Sequence, residues 1–183
     1  MRNFHPLLMT LILTSALFLA GCGADDQAGS GDQAGANRVG GEVGNQAPDF
    51  TLKKVGSEEK LTLGDLRGKT VLVDFWDTWC PPCREALPHL QELSQTYGDD
   101  LVVVGVALGQ EGEAKVEAFT AKHGLTFEMV VWDKDPALIQ AFGGIQSIPT
   151  TFLIDSDGVI RKKWVGATTK AGYEGAIKQV IGA

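Results

Sequence analysis

The sequence predicts an α/β sandwich built on a mixed β-sheet. Three observations lead there. Two near-continuous apolar runs, Val71–Trp76 and Leu101–Leu108, read as strands buried on both faces. An amphipathic stretch follows each run, as crossover helices do. The texture then changes: Thr150–Ile154 and Val159–Val165 flank Asp155-Ser156-Asp157-Gly158, a strong hairpin signal, and one more helix ends the chain.

The elements follow in order. Arg2 and the uncharged run Leu7–Ala20 make a signal segment; its 14 residues are short for a bilayer span. The run ends in Leu19-Ala20-Gly21-Cys22, which resembles the lipobox of bacterial lipoproteins. That resemblance implies cleavage before Cys22 and lipidation of it; the alternative is a plain secretory peptide or an uncleaved anchor. Residues 23 to 46 hold seven Gly and only Val39 and Val43 as larger apolar residues, too little to offset ordering entropy. The chain thus divides into a signal peptide (1–21), a lipidated Cys with a flexible tether (22–44) and a folded domain (45–183).

Within the domain, Phe50–Leu52 and Lys60–Leu63 read as a short hairpin. The helix after Cys83 sets Ala86, Leu87, Leu90, Leu93 and Tyr97 on one face. Ala114–His123 reads as a helix burying Val116, Phe119 and Ala121, followed by a strand over Phe127–Val131. Asp135 caps a short helix with Pro136 at its first position, and the last helix covers Thr169–Ile181.

Composition narrows the classes. With 183 residues, 44% hydrophobic and 21% charged, the chain is neither collagen-like, coiled-coil nor multi-pass. A net charge of −7 argues against a nucleic-acid partner, which asks for a basic patch. Three cysteines are too few for a disulfide scaffold.

Chemistry concentrates in Trp79-Cys80-Pro81-Pro82-Cys83. A CxxC pair is either a redox dithiol or half of a metal site. Zinc wants four ligands, and the chain has no second CxxC and no suitably placed histidine; His89 and His123 read as helix-surface residues. No metal is expected. Cys80 falls at a helix N-terminus, where free N–H groups stabilise a thiolate, and is expected to be the exposed thiol, with Cys83 one turn in. Asp74, alone inside an apolar strand, is expected to be buried, with a raised pKa, and to exchange a proton with Cys83; the alternative is a structural acid. Asp77 reads as a solvated loop acid, its charge screened; otherwise it would raise the pKa of a nearby thiol.

Strand, CxxC and helix together resemble the thioredoxin superfamily. Phe75-Trp76-x-x-Trp79-Cys80, Pro88 inside the helix and Ile148-Pro149-Thr150 fit it. Gly44-x-x-Ala47-Pro48-Asp49-Phe50-x-Leu52 and Thr151–Asp155 with Gly158 resemble the TlpA/ResA branch, with a domain of AhpC/TSA–Redoxin type. The resemblance spans about residues 44–183. It implies a thioredoxin-like fold with an N-terminal hairpin and an inserted helix–strand unit at 112–131. It also implies a membrane-tethered, extracytoplasmic thiol–disulfide oxidoreductase of the bacterial envelope. The catalytic set would be Cys80, Cys83, Asp74 and a cis-Pro149, with Trp79, Pro81, Pro82, Ile148 and Thr150 touching substrate. The cysteine pair would be the redox group, with no cofactor. Partners would be protein disulfides, a membrane donor of thiol type and the membrane itself through lipid, as in cytochrome c maturation. The branch often has Glu three residues after the second cysteine; here Ala86 stands there and Glu85 precedes it.

Pro81 and Pro82 lack N–H groups, so within the motif only Cys83 can donate to a Cys80 thiolate. Fewer donors favour a low potential, hence a reductant. Two other readings remain: a thiol peroxidase, and a copper-binding assembly factor. Against the first, Thr78 and Val73 do not fit the Pro-x-x-x-Thr-x-x-Cys context. Against the second, that family uses a wider CxxxC.

Overall fold

The computed structural model describes residues 38–182. The signal segment, Cys22 and most of the expected tether lie outside the described residues. The elements are β1 (Thr51–Lys54), β2 (Lys60–Thr62), β3 (Thr70–Trp76), α1 (Pro81–Tyr97), β4 (Leu101–Ala107), α2 (Glu113–Lys122), β5 (Glu128–Val131), α3 (Pro136–Ala141), β6 (Thr150–Ile154), β7 (Ile160–Val165) and α4 (Lys170–Ile181). A 3-10 turn, Leu63–Leu66, follows β2, and another, Gly98–Asp100, precedes β4.

The seven strands form one sheet in the order β2-β1-β5-β4-β3-β6-β7. β3, β4 and β5 run parallel; β6, β7, β1 and β2 join antiparallel. The sheet is therefore mixed, as expected. β3 sits between β4 and β6, and every residue from Thr70 to Trp76 is buried, which explains its near-continuous apolar lettering. The inserted strand β5 links the N-terminal hairpin to the central strands.

Alternation along β3 separates two cores. Val71, Val73 and Phe75 face Phe50, Phe142, Phe152 and Leu138 of α3. Leu72 and Trp76 face Leu87, Leu90 and Leu93 of α1 and Tyr173 and Ile177 of α4. Each such side chain contributes about 1.5–3 kcal/mol by leaving water. On the first face Phe142 packs edge-on against both Phe75 and Phe152, with ring centroids 5.1 Å apart in each pair.

Two expectations need correction. In α2 the buried residues are Val116 and Thr120, while Ala121 is exposed. Position 121 is five residues past Val116, so the 3.6-residue period turns it away from the sheet. Phe119 is half-buried, stacked between Trp76 and His123 at 5.5 and 4.2 Å.

The folded body also begins earlier than residue 45. Val39 pairs with Gln46, Gln46 with Val159, and the Gly44 N–H donates to the Ile160 carbonyl at 2.8 Å. Glu42 meets Lys163 at 3.0 Å. Gly41 is buried against the backbone of Phe142; a Cβ there would lie 2.0 Å from the Phe142 carbonyl oxygen. Backbone pairing holds this glycine-rich stretch where side chains could not.

Candidate active site

The dithiol sits where β3 hands over to α1. Cys80 is the N-cap of α1, with extended backbone, and Pro81 and Pro82 occupy the first two helical positions. Their rings fix φ near the helical value at no cost in hydrogen bonds, since these N–H groups have no partner within the helix. Cys80 and Cys83 form a disulfide, their Cα atoms 5.3 Å apart. The Cys83 N–H donates to Cys80 Sγ at 3.3 Å, the one donor the motif was expected to supply. Farther along α1, Ala86 is buried while Glu85 is exposed, so no carboxylate stands on the core side of the helix there.

Cys80 is less open than expected. It is 2% exposed and Cys83 is fully buried. Ile148 closes over it, its carbonyl oxygen 3.5 Å from Cys80 Sγ. The Ile148–Pro149 bond is cis. Cys80 is reached through an open groove of about 480 Å³ lined by Trp79, Pro81, Pro82 and Ile148. Leu108, Gln110, Trp132, Ile139 and Ile145 also line it, beside Gln146 and Ser147 next to Ile148. The first five come from three segments that meet only in the fold, and no motif in the sequence announces them. Trp79 is half exposed and offers a broad apolar face. Thr150, expected to touch substrate, is instead buried; its hydroxyl donates to the Ser147 carbonyl at 2.7 Å. As the first residue of β6 it pairs with Phe75 and Val165, and that pairing turns it inward.

Asp74 lies between Leu72 and Trp76 on the strand face that α1 covers, the face holding both cysteines. It is fully buried, and burial raises its pKa to about 7 from an ordinary 3.8, against the lowering effect of the Thr151 hydrogen bond. Thr151 Oγ1 donates to Asp74 Oδ1 at 2.7 Å. That uses the only hydroxyl proton of Thr151, so Tyr173, 3.1 Å away, donates to Thr151 Oγ1. The Tyr173 phenol is pushed up to about 12, by burial first and by the Asp74 charge second, and stays protonated. Asp74 Oδ2 has no hydrogen-bond partner among the described residues. The sequence pointed to Asp74 but not to Thr151 and Tyr173, which reach it from 77 and 99 residues away.

Asp77 corrects the reading of a solvated acid: it has no exposure at all. Its Oδ1 accepts the Thr78 N–H at 2.7 Å and its Oδ2 the Gln110 N–H at 3.1 Å. A loop residue can be buried when a second loop closes over it, and local spacing does not report that.

The chain is similar to known proteins. The AhpC/TSA family model matches residues 43–163. The thioredoxin-like protein YneN of Bacillus subtilis is 42% identical over 138 residues, 74% of this chain and 79% of its own. The thiol–disulfide oxidoreductase ResA of Geobacillus thermodenitrificans is 41% identical over 132 residues, 70% of this chain and 72% of its own. A thiol:disulfide interchange protein of the thioredoxin family from Chlorobium tepidum superposes with a TM-score of 0.67 at 31% identity, covering 74% of this chain and 95% of that one. With the disulfide at the head of α1, these place the chain in the AhpC/TSA family, as a thioredoxin-fold thiol–disulfide oxidoreductase.

Proposed function

We propose that the protein is a reductant of protein disulfides outside the cytoplasm. The observation that carries this is the head of α1, where two prolines leave the Cys83 N–H as the motif's one donor to Cys80 Sγ. A thiolate with one donor is weakly stabilised, so the reduced form gives up its electrons readily.

The proposed steps are these. Reduced Cys80, as thiolate, attacks one sulfur of the partner disulfide; that S–S bond breaks and one partner thiolate leaves. Cys83 then loses its proton and attacks Cys80 Sγ. The mixed disulfide breaks, the second partner thiolate leaves, and the Cys80–Cys83 bond forms. Two electrons pass to the partner. Asp74, with a pKa of about 7, takes the Cys83 proton when ionised. The same acid returns it when a donor reduces the pair. The groove seats the partner chain, with Trp79, Pro81, Pro82 and Ile148 against it, and Pro149 behind Ile148. The cysteine pair is the redox group and needs no cofactor.

The reading extends to place and pathway. Lipid on Cys22 holds the protein to the extracytoplasmic face of the bacterial envelope, the periplasmic face where an outer membrane exists. Electrons come from a membrane donor of thiol type and go to protein disulfides such as those met in cytochrome c maturation. The lipobox-like Leu19-Ala20-Gly21-Cys22 supports the first statement and the similarity to ResA the second.

Equilibration against dithiothreitol buffers tests the direction. A reductant should sit nearer roughly −270 mV, as thioredoxin does, than roughly −120 mV, the value of a strong dithiol oxidant. A value near the latter overturns the proposal.

A further inference from the structure

Asp77 plays no part in the electron transfer just described, yet it is a carboxylate taken wholly out of water. Such a group persists only with compensating donors. Asp77 has two backbone N–H groups, one from Thr78 in its own loop and one from Gln110 in the loop after β4. Beside it, the Thr78 hydroxyl donates to Glu111 Oε2 at 2.8 Å, a second tie between the same two loops. The Leu108 N–H donates to the Trp76 carbonyl at 2.9 Å just before them. The result is a clamp. On one side is the loop leading into Cys80; on the other is the segment whose Leu108 and Gln110 form one wall of the groove. None of the Asp77 bonds goes to a sulfur.

We propose that Asp77 is a specificity-determining positioning residue. It fixes the Leu108–Gln110 wall against the cysteine loop and so sets how tightly a disulfide-bearing polypeptide seats beside Cys80. This rests on the reading of the groove as the substrate's seat. The carboxylate is needed because both oxygens accept. An amide of the same shape keeps one acceptor and turns a donor toward the other N–H, which cuts one side of the clamp.

The test uses the full, reduced chain and a peptide disulfide with apolar flanks, beside the small disulfide 5,5′-dithiobis(2-nitrobenzoate), which does not span the groove. Asp77→Asn should raise KM for the peptide on the order of tenfold, the size of one lost charge-assisted hydrogen bond. Its kcat, and the rate with the small disulfide, should change less than about twofold, since an effect on binding alone leaves chemistry in place. Thr78→Val removes the hydroxyl's tie to Glu111 and its longer contact to Asp77 Oδ1 at 3.3 Å, but keeps the carboxylate and both backbone donors, and should raise KM in the same direction by less; it carries the test if the Asn variant does not fold. An unchanged peptide KM, or equal slowing of both substrates, overturns the proposal. Trp132→Ala, on another wall, separates the two readings. If it leaves the peptide KM unchanged, the groove is not the seat. If it raises KM while the Asp77 and Thr78 variants do not, the seat stands and the role given to Asp77 falls.

Discussion

Asp74 sits in the native protein as an acid whose pKa, about 7, lies above its ordinary 3.8. Below 3.8 both folded and unfolded chains hold the proton, and burial carries no penalty. Between 3.8 and about 7 the unfolded chain ionises while the folded one resists, so stability falls as pH rises across that window and levels off above it. The gap amounts to at most roughly 4 kcal/mol. Asp74→Asn should therefore be more stable than wild type at pH 8, with the advantage shrinking toward pH 4; urea unfolding of the oxidised proteins at pH 4, 6 and 8 measures it. A gap that does not change with pH would contradict the assignment. The same variant should slow resolution of the mixed disulfide more than its formation and remove the rise in that rate through pH 7. Asp74 was legible because one charged letter interrupts an apolar run, and a strand buried on both faces leaves it nowhere polar to go. Asp77 was not, because its burial is decided by a loop 33 residues away.

At the level of elements, the start of α1 governs the potential. Pro82→Ala would place an N–H at the second helical position, where it can reach the cap sulfur. One charge-assisted hydrogen bond, about 1.5 kcal/mol, would lower the Cys80 pKa by about one unit and raise the potential by on the order of 30 mV. Thiolate absorbance against pH and a redox titration check both; an unmoved potential would contradict the donor count. The segment before β1 makes a different demand. Gly41→Ala would drive a methyl into the Phe142 carbonyl, held by the aromatic core. It should cost about 1–3 kcal/mol as overpacking does, whereas Val43→Ala, at an exposed position, should cost little; thermal melting of the two compares them. The strands and helices were legible from period and length. The early start of the body was not, because backbone hydrogen bonds to β7 order residues whose side chains carry no signal.

For the whole molecule, the fold puts the Cys80–Cys83 disulfide at the floor of a groove, on a body that already includes the backbone pairing of Val39 with Gln46. The α/β class and the cysteine pair were legible because they depend on local pattern. The groove was not, since its walls are set by tertiary assembly. Among the described residues no helix is long and apolar enough to cross a membrane; the proposed membrane attachment is through lipid on Cys22. Fatty-acid labelling of cells should mark wild type and not Cys22→Ser, with dithiol activity equal in both; label on the variant would remove the lipid assignment. The central claim is that Cys80 attacks and Cys83 resolves. Reacting reduced Cys83→Ser with a peptide disulfide and mapping the adduct by mass spectrometry tests it most directly. The peptide should be held on Cys80 in a stable mixed disulfide, and Cys80→Ser should capture none. Stable capture by Cys80→Ser through Cys83, with none on Cys80, would contradict the account.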